Sequence, residues 1–327
     1  MMLSRRVILS LLPLLAADVK ARGGADDAEW PKRVVRFIVS AAPGSAGDVV
    51  CRLVAQKLSE RLGQQFMIDN RPAAAGTIAA EALARSTPDG YTIGMISTST
   101  HVIAGIFNPD LPYDGVKDFS PISMLGSSPY VLAVYPGLPV NTVADLVALA
   151  KSKQSSLSNA AFGTTSLGYL ASVLFAHEAG IELNQVSYRS SAQAVLDVVA
   201  GRVEMQFSTL PPAVPLIREG KLRALATTGA QRVSTLPEVP TLAEAGLAGY
   251  DVALWLGTAA PAGTSPLIIA RLNREVTAIL NSPEVREALL QQGFAAEPGP
   301  PAYLAGKIDD DLKKWRNVVV MGGIEAQ

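Results

Sequence analysis

VVRFIVSAAPGSAGDVVCRLVAQKLSERLG, residues 34–63, is the stretch on which the fold is decided. Val34 to Ser40 is a short β-branched run that reads as a strand. Pro43 to Gly47 is turn chemistry. From Asp48 the apolar period changes: Val50, Leu53, Val54, Leu58 and Leu62 share one helical face, and Gly63 follows as a stop. A strand, a small-residue turn and an amphipathic helix in that order are one βα unit, the building block of an α/β fold with mainly parallel sheets.

The unit recurs outward from there. Phe66 to Asp69 is a second strand, Thr77 to Ala84 a helix and Tyr91 to Ile96 a third strand. Further strands are expected at Tyr130 to Tyr135, Ala160 to Phe162, Gln185 to Tyr188, Val203 to Phe207 and Leu222 to Thr227. The helices between them are Thr142 to Lys151, Ser166 to Glu178, Ala192 to Ala200 and Ala213 to Glu219. After an extended segment, Tyr250 to Ala259, only helices remain. One sheet holding all these strands would be unusually wide, so the order predicts two lobes. Residues 28–124 with 250–327 form the first and 125–249 the second, with hinge crossings at Met124 to Tyr130 and Tyr250 to Trp255.

Composition narrows the function. The chain has 327 residues, 28 Lys and Arg against 29 Asp and Glu, and no basic stripe, so a nucleic-acid partner is not expected. A single cysteine, Cys51, excludes an internal disulfide, and two histidines, His101 and His177, make a metal site improbable; no metal or cofactor is expected. Arg5 and Arg6 precede an apolar run, Val7 to Ala17, too short to span a bilayer and followed by Ala21. Residues 1–22 therefore read as a cleavable export signal, by the Sec or the twin-arginine route. No later segment is apolar enough to embed the mature chain in a membrane.

Small-residue loops that follow strands and precede helices carry the chemistry. They are Pro43-Gly44-Ser45-Ala46-Gly47, Ala75-Gly76-Thr77, Ser97-Thr98-Ser99-Thr100, Gly163-Thr164-Thr165-Ser166 and Ser190-Ser191. Ligands of open α/β sheets lie at the carboxyl ends of strands, where helix N-termini offer unpaired amides and partial positive charge. Any one of these hydroxyls alone could be only an N-cap. Together they make a site for an anion, most naturally a carboxylate, with Arg189 as a candidate charged contact. Enzyme signatures fail: there is no phosphate-binding loop, dinucleotide fingerprint or zinc-protease motif. Thr164 to Gly168 has Thr where a nucleophile elbow needs its first Gly, and His177 lies about 16 Å along the same helix from Ser166. No catalytic residue is assigned.

A family resemblance follows from several ordered motifs. VSAAPGSAGD (Val39 to Asp48), Asn70-Arg71-Pro72 with Gly76 and Glu81, Pro88-Asp89-Gly90-Tyr91-Thr92 and Leu111-Pro112-Tyr113-Asp114 resemble the solute-binding receptors of tripartite tricarboxylate transporters, the Bug family. Leu236-Pro237-Glu238-Val239-Pro240-Thr241 and Ala260-Pro261-Ala262-Gly263 continue the match over nearly all of the mature chain. The resemblance implies a type II-like, two-lobed periplasmic binding protein, monomeric, closing on a small carboxylate and delivering it to a two-subunit membrane permease. It implies ligand contacts from Pro43, Gly44, Ser45, Ala46, Gly47 and Asp48; from Gly76 and Thr77; and from Ser97, Thr98, Ser99 and His101. In the second lobe it implies Gly163, Thr164, Thr165 and Ser166, and Tyr188, Arg189 and Ser190. Three departures bear on the ligand. Gly44-Ser45 stands for a usual double glycine, and Ala73, Ala75 and Ala79 for usual glycines. Phe207-Ser208 stands for a usual Phe-Asp, so an acidic partner for an ammonium is missing at Ser208. The expectation is a receptor for a dicarboxylate rather than an amino acid. A sensory receptor for the same ligands, or an exported serine hydrolase using Ser166 or Ser97, are the rivals.

Overall fold

The computed structural model of the chain describes residues 29–324 apart from 153–155, 164, 189 and 190. The expected export signal at 1–22 lies outside the described residues, as do Thr164, Arg189 and Ser190 of the expected site.

The opening unit forms as its pattern dictates. Strand β1 (Val35–Val39) leads into helix α1 (Ala46–Leu62), which Gly63 ends in the left-handed region at φ 70°, its N–H donating to Ser59 O. Ile38 joins one core with Ala79, Ala80 and Leu83, while Val35, Phe37 and Val39 join another with Val50, Val54 and Leu58. A strand apolar on both faces belongs in a sheet covered on both sides, and the pairing is parallel accordingly. β1 lies between β2 (Phe66–Asn70) and β3 (Thr92–Ser97), parallel to each. Helix α2 (Thr77–Ala84) follows β2, and a π-helical turn, Ser99–Ile103, runs on from β3 into the short helix α3 (Ala104–Phe107).

The middle of the sheet differs from expectation. β4 spans Phe119–Val134, sixteen residues, where only its last third was expected as strand. It is followed by α4 (Val143–Ser152), β5 (Leu157–Phe162), α5 (Leu167–Ala179), β6 (Leu183–Tyr188), α6 (Ser191–Val199), β7 (Met205–Thr209), α7 (Leu210–Arg218) and β8 (Arg223–Thr227). β9 (Ala253–Pro261) then returns, followed by α8 (Pro266–Leu280), α9 (Pro283–Gln291), β10 (Ala295–Ala296) and α10 (Pro301–Met321). The two-residue β10 corrects the expectation that only helices follow β9.

The ten strands are one linked sheet of order β2-β1-β3-β9-β4-β7-β5-β6, with β8 and β10 also on β4. The sheet is mixed rather than mainly parallel: β9 is antiparallel to β3 and β4, and β4 is antiparallel to β7 and β8. One sheet can hold all these strands because β4 is shared. Its first part, to Pro129, pairs with β9, and its last, from Tyr130, pairs with β7 and β8. Two α/β halves thus hang on one strand. The chain recrosses where Val252 N–H donates to Thr228 O and Thr228 N–H to Tyr130 O. The largest core runs through this junction, joining Leu132, Phe175, Phe207, Tyr250, Trp255 and Trp315.

Candidate ligand cleft

Strand register places the two sets of loops opposite each other. Ser97, the last residue of β3, is level with Leu256 of β9, and Leu256 with Gly126 of β4. From the other side Thr209, the last residue of β7, is level with Tyr130 of β4. β3 and β7 therefore point at each other and stop four residues of β4 apart, roughly 13 Å at the rise of a strand. β1 ends beside β3. β5 is parallel to β7, with Asn159 level with Met205, and Phe162 of β5 is level with Tyr188 of β6. Carried three residues on, that register puts Phe162, Tyr188 and Ser208 in one row. Both carboxyl edges thus face one gap. Pro43, Gly44, Ser99 and Thr165, in the loops that follow these edges, are exposed.

The first loop is held by a buried carboxylate. Asp48, 1% exposed, accepts the Gly44 N–H (2.8 Å) and Arg52 Nε–H (2.8 Å) on Oδ2, and Asn70 Nδ2–H (2.7 Å) on Oδ1. Asn70 also donates to Ala41 O (3.0 Å) and accepts from an Arg52 guanidinium nitrogen (2.8 Å). Burial alone would raise the Asp48 pKa, but the hydrogen bonds from Arg52, Asn70 and Gly44 outweigh it and hold the group below the ordinary carboxylate range. The Gly44 amide and the Asp48 carboxylate are therefore both engaged inside the loop. Ser45 donates both its N–H and its hydroxyl to Ala42 O. The amides left for an anion are those of the first helical turn, Ala46 and Gly47 with the backbone of Asp48, which have no intrahelical acceptor.

Gly76 ties the second loop to the first and third. A Cβ on it would lie 2.8 Å from Ser40 Cβ and 3.0 Å from Thr100 Cγ2, and its φ is +89°. Only glycine lets these three segments meet. Just before it Ala74 and Ala75 sit at φ 50° and 52°, and Thr77 Oγ1–H bonds back to Ala74 O (2.9 Å).

The third loop is largely structural. The Ser97 and Thr100 hydroxyls bond each other (3.1 Å), Thr100 Oγ1 meets His101 Nδ1 (2.9 Å), and Tyr113 OH donates to Thr100 O (2.7 Å). Thr98, fully buried, accepts the Trp255 N–H of β9 (3.0 Å). His101 is 2% exposed, packed 4.4 Å from the Phe119 ring, with Nε2 unpartnered among the described residues. Burial pushes its pKa down to about 3, so it stays neutral and is a poor general base near neutral pH. Of this loop only Ser99 is exposed.

In the second half Gly163, at φ +66°, has open space where a Cβ would stand. Ser166 is the N-cap of α5: its oxygen accepts the Tyr169 N–H (3.2 Å) while its hydroxyl donates to Gly163 O (3.0 Å). A Cβ on Gly168 would lie 3.1 Å from Phe207 O and 3.2 Å from Tyr130 Cε1, so the first turn of α5 sits directly on β7 and β4. The Tyr188 hydroxyl donates to Asp197 (2.9 Å), which also pairs with Arg202 (2.7 Å). Ser208 is buried and bonds to Thr209 O (3.2 Å).

Sequence reasoning named Asp48 and missed Arg52, although the two stand four apart on one helix face, an available sign of pairing. It named Trp255 only as the end of a hinge crossing and not as the donor of an indole N–H to the buried Asp311 (2.7 Å). Open pockets among the described residues include one of about 540 Å³ against Ser127, Pro129, Leu210, Trp255 and residues 229–235, and one of about 460 Å³ beside His101. Among the described residues no cluster of three or more His, Cys, Asp or Glu is placed to hold a metal, and no helix is long and apolar enough to cross a membrane.

Comparison with known proteins identifies the family and the fold. Residues 50–324 match the family described as tripartite tricarboxylate transporter family receptor, TctC. Protein BugT of Bordetella pertussis is 34% identical over 307 residues, 94% of each chain. The Rhodopseudomonas palustris protein Rpa4515, solved with adipate, superposes with a TM-score of 0.76 at 35% identity over 90% of this chain and 99% of that one. MatC (Rpa3494) of the same organism, with bound malate, gives 0.70 at 31% over 89% and 100%.

Proposed function

The chain belongs to the tripartite tricarboxylate transporter receptor family of solute-binding proteins, and from that premise we propose that it is a periplasmic receptor for a dicarboxylate. The observation that supports the proposal is the pair of opposed carboxyl edges: β3 and β7 end facing each other along β4, and α1 and α5 follow the strands beside them, β1 and β5. Each helix offers first-turn amides and partial positive charge, the chemistry for one carboxylate per wall.

The lobes are residues 28–124 with 250–327 and residues 125–249, and the acid is captured between them. Contacts from both walls exist together only when the gap is shut, so the ligand favours the closed form. The first wall supplies the amides of Ala46 and Gly47 and the Ser99 hydroxyl; the second supplies the first turn of α5. Arg189, which follows β6 in the chain, anchors the second carboxylate. Ser208 in place of an acidic residue removes a partner for an ammonium, which favours a plain or hydroxylated diacid. Adipate and malate, bound by the two relatives, are the ligands to test first. Export by residues 1–22, a monomeric state and delivery to a two-subunit permease complete the reading.

Calorimetric titration of the mature chain with adipate, malate, a monocarboxylate, a tricarboxylate and an amino acid tests it. Saturable binding of at least one diacid, with weak or no binding of the amino acid, is expected; binding of the amino acid alone would overturn the dicarboxylate assignment.

A further inference from the structure

The α1 wall holds an electrostatic contradiction. An anion site at a helix N-terminus draws on the partial positive charge of the first turn, about half an elementary charge. Yet Asp48, in that same turn, is a buried carboxylate held in its ionised form. Left alone, it would cancel the helix charge and repel a ligand carboxylate at Ala46 and Gly47.

Arg52 resolves it. Its Nε–H meets Asp48 Oδ2 at 2.8 Å and a second guanidinium nitrogen meets Asn70 Oδ1 at 2.8 Å. Asn70 closes the ring on Asp48 Oδ1 at 2.7 Å. The arginine side chain is 51% exposed, whereas the carboxylate it faces is 1% exposed. The carboxylate thus keeps its work of holding the Gly44 amide and, through Asn70, the Ala41 carbonyl. Its charge is neutralised from the side of the helix.

We propose that Arg52 is a positioning residue that sets the charge selectivity of the cleft: by cancelling Asp48 it leaves the N-terminus of α1 positive toward the ligand, without touching the ligand. The inference rests on the dicarboxylate reading above.

The test compares Arg52→Gln, which keeps hydrogen-bonding capacity and deletes the charge, with Arg52→Lys, which keeps the charge, and with the double variant Asp48→Asn/Arg52→Gln. Adipate and a monocarboxylate, hexanoate, are titrated into each at low and high salt, with melting temperatures measured alongside. Arg52→Gln is expected to weaken adipate roughly tenfold at about 0.01 M salt, the scale of a charge at a partly buried helix terminus. The loss should be smaller for hexanoate and should shrink at about 1 M salt, where screening acts over about 3 Å. Arg52→Lys should stay near wild type, and the double variant should regain most of the affinity lost in Arg52→Gln. The proposal is overturned if Arg52→Gln binds adipate as tightly as wild type, if Gln and Lys lose affinity equally, or if the double variant is no better than the single. Failure of the wild type to bind any acid would instead overturn the receptor reading, and this inference with it.

Discussion

At the scale of single residues, Gly76 and Ala75 are neighbours with opposite fitness for their backbone. Gly76 needs its positive φ and its missing Cβ, because Ser40 and Thr100 fill the space a methyl would take. Gly76→Ala should cost about 2–4 kcal/mol from left-handed strain and overpacking, measured by urea unfolding. Ala75 carries the strain without the need, so Ala75→Gly should stabilise by up to about 1 kcal/mol in the same assay. His101 makes a pH prediction. Its folded pKa of about 3 lies below the ordinary 6.5, so below that value the unfolded chain binds the proton and the folded one does not. Stability should therefore fall as pH drops from 7 to 5, by about 2 kcal/mol from this group, and His101→Asn should flatten that part of the profile. Asp48 acts in the same direction lower down: its folded pKa is depressed, so its contribution is present above about pH 4 and lost as the pH falls further. The residue-level roles were only half legible. Asp48 and Arg52 show their helical spacing in the sequence, but Asn70, which closes the ring, is brought to them by the pairing of β1 with β2.

At the scale of elements, the helices and the outer strands were readable because their apolar periods are clean. β4 was not. Pro121, Gly126, Ser127, Ser128 and Pro129 are loop-like punctuation, yet the strand absorbs them with register shifts near Pro121 and between Met124 and Gly126. Its neighbours also change at Pro129 and Tyr130, so no single periodic pattern describes it. The loops of the site were legible because any parallel strand followed by a helix ends in such a loop. Which hydroxyls they spend internally was legible only in part: Ser97 and Ser166 bond within their own turns, to Thr100 and to Gly163 and Tyr169, whereas Thr98 meets a Trp255 amide brought to it by tertiary pairing. Ser166→Ala should cost about 1 kcal/mol through the lost cap of α5 and should weaken diacid binding by fraying the turn that faces the gap. Thr98→Val leaves the buried Trp255 backbone N–H without its acceptor and should cost about 1–3 kcal/mol, measured by urea unfolding.

At the scale of the whole molecule, the sequence indicated two α/β halves but not that a shared strand joins them into one sheet. That strand makes the opposed edges possible, because β3 and β7 approach along β4 from opposite ends and stop short of each other. The central claim is that an acid is captured between the halves. Small-angle X-ray scattering of the mature chain, with and without saturating adipate, tests it most directly. A smaller radius of gyration with adipate, and none of that change in a variant that no longer binds it, is the expected result; adipate bound at full occupancy with an unchanged scattering profile would contradict capture by closure.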